Sequence, residues 1–150
     1  MFQTNPRPDA LRCRQDFYPL VAPVEARYAD MDVNGHLNNL ALESLHENAR
    51  ATMNVRATHG MYQPGQRSLR FVSAQNVVHF LAEGRWPATI HAGVGVSRLG
   101  NTSYVASSAL FVEGTCLSVC DTVLVAVGDD GRPVPIPDNT RKALSAFTVG

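Results

Sequence analysis

The segment DMDVNGHLNN, residues 30 to 39, packs two carboxylates, three carboxamides and one imidazole around a glycine. Side chains of these types bind cations, move protons or cap helices, and two chemistries fit their spacing. Asp30, Asp32, Asn34 and Gly35 match the opening of an EF-hand calcium loop, with Leu37 at its hydrophobic position. The twelfth position must supply a bidentate glutamate and is Ala41, and a short strand with a proline precedes the loop instead of a helix. Calcium is therefore set aside. The second chemistry is acyl transfer. A helix N-terminus presents free N–H groups and partial positive charge, which polarise a docked carbonyl and stabilise its oxyanion. A carboxylate in the loop just before such a helix can attack a thioester carbon or deprotonate water. A thiolate leaves readily, so no strong acid is needed. Asp32, Asn34 and His36 would converge on one small volume, with Gly35 letting backbone approach closely. Plainer roles exist for each: Asp32 as a cap, His36 bonded to backbone, Asn34 holding a turn, and Asn38 and Asn39 as cap and loop staples. Capping accounts for one acidic residue but not for the whole string.

The elements that must position this loop can be read on either side of it. From Val21 the pattern alternates, with Ala22, Val24, Ala26 and Tyr28 on one face and Glu25 and Arg27 on the other, as in a half-buried strand. Pro23 places that strand near an edge or an end. Residues 40 to 56 contain no Gly or Pro, and Leu42, Leu45, Ala49 and Met53 recur at helical spacing. Asn38 or Asn39 can cap this helix, about 25 Å long, and Glu43 and Glu47 sit early while Arg50 and Arg56 sit late, as the dipole prefers. Gly60, Pro64 and Gly65 break it within residues 58 to 67. Four strands are then predicted: 69 to 81 with a bulge, 88 to 98, 102 to 112, and 116 to 127 with Leu117, Val119, Val123, Val125 and Val127 on one face. Turns fall at residues 99 to 101, at Glu113–Gly114 and at 129 to 131. A tail with Pro133, Pro135 and Pro137 leads to a short helix over 139 to 146. Residues 1 to 18 read as an irregular arm. One long helix covers only one face of a sheet, so the simplest packing is an α+β domain spanning 1 to 150, with an antiparallel sheet of about five strands curved around that helix.

Composition bounds the function. The chain has 150 residues, 45% hydrophobic and 17% charged, with 13 basic and 13 acidic groups and zero formal charge. Such a chain folds without a metal or disulfide and carries no electrostatic footprint for nucleic acid or an anionic membrane. Arg67 with Arg70, or Arg85 with Arg98, could still meet one phosphorylated ligand, although ordinary solvated arginines are the simpler reading. No signal peptide or membrane span is evident. Of three cysteines, Cys116 and Cys120 lie about 13 Å apart along one strand, too far for a disulfide, and Cys13 stands alone. Free thiols point to a reducing, cytoplasmic setting. His46, His59, His79 and His91 lack metal-ligand spacing, Gly93-Val94-Gly95 lies inside a strand, and no Ser-His-Asp or Cys-His set is evident. No cofactor is expected.

Residues 27 to 39, RYADMDVNGHLNN, resemble the D-x-x-G-H-x-N-N signature of hotdog-fold thioesterases, the 4-hydroxybenzoyl-CoA thioesterase-like enzymes among them. The core from Asp32 to Asn39 is especially similar to plant acyl-carrier-protein thioesterases and their bacterial relatives. Glu47 and Arg50 match a common E-x-x-R, and the turn from Gly100 to Ser103 resembles the family's glycine followed by small polar residues. The resemblance covers residues 20 to 137 and implies an acyl-CoA or acyl-carrier-protein thioesterase. In it Asp32 would be nucleophile or general base, and Asn34 and His36 would orient water or substrate. The helix start at Asn39 and Leu40 would polarise the carbonyl, and Gly100 and Ser103 would contact substrate. It also implies a site between two subunits of a homodimer or homotetramer. Plant-type enzymes use a further strand carboxylate, for which Glu83 is the nearest candidate without an assured register. Leu40, Ala41 and Leu42 stand where many members carry an aromatic. The competing readings are a hotdog hydratase or dehydratase and a non-catalytic acyl-CoA-binding module.

Overall fold

A computed structural model of the chain describes residues 6–58 and 69–150. The expected break at Gly60, Pro64 and Gly65, as well as His59 and Arg67, lies outside the described residues. The elements are β1 (Leu20–Glu25), α1 (Asn39–Ala57), β2 (Arg70–Phe80), β3 (Thr89–Leu99), β4 (Ser103–Val112), β5 (Thr115–Val127) and α2 (Asp138–Ser145). The strands form one antiparallel sheet in the order β1-β3-β4-β5-β2. The α1 helix lies across β1, β3, β4 and β5. Both outer strands are edges, and β1 carries Pro23, which has no N–H to give a ladder. No helix among the described residues is long and apolar enough to cross a membrane.

Helical spacing works as read: Leu42, Ala49, Met53 and Ala57 are buried against Ile90, Val94 and Leu110 of the sheet. The expected bulge in β2 falls between Ser73 and Gln75, and β3 has another between Val96 and Arg98. Two face assignments need correction. Tyr28 does not continue the β1 face. The chain leaves the strand after Glu25, and the Arg27–Asp30 interaction closes a 3-10 turn over Tyr28–Asp30. Tyr28 is left exposed, edge-on to Trp86. In β5, the residues turned toward α1 are Ser118, Cys120, Thr122, Leu124 and Ala126. Val119 instead packs with Tyr18, Ala109 and Phe111 on the opposite face. Leu117, expected on the face of Val119, instead joins the core under α1, beside the register shift between Leu110 and Phe111.

That opposite face is covered by the N-terminal arm, which forms 3-10 turns at Ala10–Cys13 and Gln15–Phe17. Arg12 and Asp121 make a bidentate pair at 2.6 and 2.7 Å, and the Tyr18 hydroxyl donates to the Arg12 carbonyl at 2.7 Å. Tyr18 lies on Gly93, where any Cβ would sit 2.8 Å from its ring. The arm also brings Cys13 to Cys116, so Cys13 does not stand alone. Burial, followed by the Cys13 thiol beside it, pushes the Cys116 thiol up to about 12.

Candidate active site

The loop between β1 and α1 is pinned on both sides. The Asp30 carboxylate accepts the Arg27 backbone N–H at 2.9 Å and its guanidinium at 2.8 Å, and this pairing holds the carboxyl below its ordinary value. Asp30 is thereby committed to an arginine. Its carbonyl accepts the Asn38 N–H at 2.9 Å, Met31 and Leu37 bridge, and the Leu37 N–H reaches the Gly84 carbonyl at 2.8 Å. Gly84 has no room for a side chain, since a Cβ there would lie 2.8 Å from Leu117 and 3.0 Å from Leu37.

Between these pins the chain turns tightly from Asp32 to His36. The Asp32 N–H donates to the His36 carbonyl at 2.8 Å and the Gly35 N–H to the Asp32 carbonyl at 3.1 Å. Gly35 sits at φ +75°, a region that L side chains rarely adopt. Asp32 Oδ1 accepts the N–H groups of Asn34 at 2.8 Å and His36 at 3.3 Å. One carboxylate oxygen is therefore fixed by the loop, and Oδ2 has no partner among the described residues. At the start of α1, Asn38 is the cap: its Oδ1 accepts the Ala41 N–H at 2.7 Å and its carbonyl the Leu42 N–H at 3.1 Å. The N–H groups of Asn39 and Leu40 are left for a ligand or water.

Asp32, His36, Asn39 and Glu83 line one cavity of about 250 Å³, floored by Leu42 and Phe80. Glu83 Oε2 lies 2.9 Å from His36 Nε2, and Arg85 approaches the same nitrogen at 3.2 Å. One ring nitrogen cannot serve both at once. Protonated, it donates to Glu83; bare, it accepts from Arg85. Glu83 and Arg85 also line a second opening of about 740 Å³ with Thr89, His91 and Glu113. The sequence offers Glu83 only as a neighbour without a register. Its placement comes from the Leu37–Gly84 bond, a contact between distant segments that no local pattern encodes.

Not every expected site residue meets here. The Asn34 side chain is exposed and does not line the cavity, although its backbone N–H anchors Asp32. Leu40 is 76% exposed at the rim. Gly100 and Ser103 close the β3–β4 turn, where the Gly100 N–H donates to the Ser103 carbonyl at 2.7 Å. That turn follows Leu99, whereas the Asp32 loop follows Glu25, which pairs with Thr89 at the other end of β3. The two ends of β3 are about 33 Å apart, so one chain does not bring the turn to Asp32. Arg85 and Arg98 are likewise separated by the length of β3 and form no joint basic spot. Among the described residues, no cluster of three or more His, Cys, Asp or Glu is placed to hold a metal.

The sequence profile of the thioesterase-like superfamily matches residues 26–144, and the chain belongs to that family. No curated protein matches it. Solved structures resemble it over most of their length. The PA5185 protein of Pseudomonas aeruginosa is 29% identical, with a TM-score of 0.82, over 91% of this chain and 96% of its own. A thioesterase of Thermus thermophilus, solved with coenzyme A and zinc, is 27% identical with a TM-score of 0.79, over 87% and 95%. The DHNA-CoA thioesterase of Staphylococcus aureus is 18% identical with a TM-score of 0.75, over 83% and 87%, and shares the fold alone. The α+β hotdog architecture read from the sequence is thus the observed one: a five-stranded antiparallel sheet around a long helix.

Proposed function

We propose that the protein hydrolyses an acyl thioester of coenzyme A or of an acyl carrier protein, with Asp32 as the reacting carboxylate. The observation that carries this reading is Asp32 itself, with Oδ1 fixed by two backbone N–H groups and Oδ2 unpartnered in the same cavity as the start of α1. The thioester carbonyl docks against the N–H groups of Asn39 and Leu40, which stabilise the developing oxyanion. Asp32 Oδ2 takes a proton from a water, and the hydroxide attacks the carbonyl carbon. The C–S bond then breaks, and the thiolate leaves and takes up the proton. His36 and Glu83, 2.9 Å apart, orient that water. Asn34 acts through its backbone, as an anchor for Asp32.

A second copy completes the site. The β2 strand is an edge with most of its residues exposed, and two such edges can pair around a two-fold axis. Antiparallel pairing sets the Phe80 end of one β2 beside the Arg70 end of the other. Ser103 pairs with Val125, next to the Arg70–Val127 pair, so the Gly100–Ser103 turn of the second copy comes to the Asp32 end of the first. The thioesterase solved with coenzyme A supports a CoA ester as substrate. Protein purified from a reducing cytoplasm-like buffer is tested in a thiol-release assay on short, long and aromatic acyl-CoA esters. Turnover by wild type and a loss of about a hundredfold or more in Asp32→Asn is expected. Equal turnover by the variant overturns the assignment, and crotonyl-CoA hydration in place of thiol release indicates a hydratase.

A further inference from the structure

Arg50 is the anomaly among the described arginines. Its side chain is only 11% exposed, yet it has no close carboxylate. The nearest is Glu47 at 3.8 Å, itself 74% exposed, and a contact of that kind is worth little. Elsewhere Arg12, Arg14 and Arg27 each hold a carboxylate at 2.6 to 2.8 Å. The one close partner of Arg50 is neutral: its guanidinium donates to Thr122 Oγ1 at 3.0 Å. No buried side-chain nitrogen or oxygen among the described residues lacks a partner, so the remaining Arg50 donors reach solvent and are open to an acceptor there.

The hydrogen bonds beyond Thr122 have a fixed direction. Because the Thr122 hydroxyl accepts from Arg50, it gives its proton to Asn76 Oδ1 at 2.5 Å, and the Cys120 thiol donates to the same oxygen at 3.1 Å. This fixes the Asn76 amide, whose Nδ2 donors point away from these partners. Asn76 is exposed on the edge strand β2. Arg50 and Asn76 thus present spare donors in the seam between α1 and β2. Glu43 and Glu47 are the carboxylates on that stretch of helix; Glu47 is exposed, Glu43 is half-buried, and neither makes a close pair with Arg50. His46, in the turn between, faces Ser108 and Ser118 and offers the seam no charge.

The seam lies along α1 and β2, the two elements that also carry Leu42 and Phe80. Leu42 and Phe80 line the catalytic cavity, and Arg50 lies two helical turns beyond Leu42, about 12 Å along α1. Asn76 lies on the same face of β2 as Phe80, about 13 Å along the strand, with Val78 between. An acyl chain laid along these two elements from the thioester would meet Leu42, Phe80 and Val78 first, and Arg50 with Asn76 at its far end. Resting on the thioesterase reading above, we infer that the substrate is a medium-length acyl thioester whose far end carries a carboxylate, and that Arg50 and Asn76 select it.

The test compares ω-carboxyacyl esters with plain esters of equal length, adipoyl-CoA against hexanoyl-CoA and suberoyl-CoA against octanoyl-CoA, on wild type, Arg50→Met and Arg50→Lys. The readout is the ratio of kcat/KM within each pair, which cancels any loss of folded enzyme. A wild-type ratio above one that falls tenfold or more in Arg50→Met, with partial recovery in Arg50→Lys, is expected. A ratio below one, or one that Arg50→Met leaves unchanged, overturns the inference. If neither ester of a pair is turned over, the Asp32 reading fails, and equilibrium binding of the same esters decides the inference. Tenfold weaker retention of the carboxyacyl ester by Arg50→Met sustains it, and equal retention overturns it.

Discussion

Mild acid should destabilise this protein through His46. The His46 ring is 1% exposed, with Nδ1 at 2.8 Å from Ser108 Oγ and Nε2 at 2.7 Å from Ser118 Oγ. Burial, and after it the charges of Arg50 and Arg12, lower its pKa from 6.5 to about 3. A lowered histidine pKa means that the folded state binds the proton less well than the unfolded chain. Below pH 6.5 the unfolded chain takes up a proton that the folded protein refuses, so stability falls with pH until about pH 3 is reached. Between pH 7 and pH 5 the loss is about 2 kcal/mol, at ~1.4 kcal/mol per pH unit below the unfolded pKa. His46→Gln keeps a polar group between the two hydroxyls and does not titrate. Urea unfolding of both proteins at pH 7 and pH 5, at one protein concentration, isolates the effect. Wild type should lose about 2 kcal/mol more than His46→Gln across that interval. Identical pH dependence would refute a neutral, buried His46.

Other expectations follow from single contacts. Asn38→Ala removes the cap of α1 and should cost about 1 kcal/mol in denaturant unfolding, with a fall in kcat as the helix start frays. Gly35→Ala forces a Cβ into a left-handed conformation at a cost of about 1 kcal/mol or more, and should lower kcat by displacing Asp32 while calorimetry shows only a small drop in Tm. Arg12→Met leaves the Asp121 carboxylate, which also accepts from the Ser107 hydroxyl, without its cation. It should cost about 2 kcal/mol and expose the arm over residues 10–17 to limited proteolysis.

The order of elements was legible because each rests on a local signal. The steps from Leu42 to Met53 mark one face of α1, the alternation from Ile90 to Val96 marks β3, and Asn38 stands where a cap must be. The loop from Asp32 to Asn39 was legible for the same reason, since a turn with a left-handed glycine followed by a capped helix is written in consecutive residues. What was not legible depends on contacts between distant segments. Tyr28 continues an alternating pattern in sequence, but the Arg27–Asp30 interaction ends the strand before it. Glu83 reaches His36 only because Gly84 is small enough for the loop to press on Leu37.

The two faces of β5 differ in a way that bears on function. The β5 strand puts Val119, Val123 and Val125 on the face away from α1, where the N-terminal arm and the Arg12–Asp121 pair cover part of them. The face toward α1 carries Ser118, Cys120 and Thr122, each bonded to a polar partner on α1 or β2. A core built only for stability would favour apolar side chains there, because buried polar networks gain little over well-packed hydrocarbon. Beneath the stretch of α1 from His46 to Arg50, β5 presents this polar row in place of hydrocarbon. That polar strip is the wall along which an acyl group would be read, and Arg50, bonded to Thr122 with its other donors open to solvent, stands at its far end.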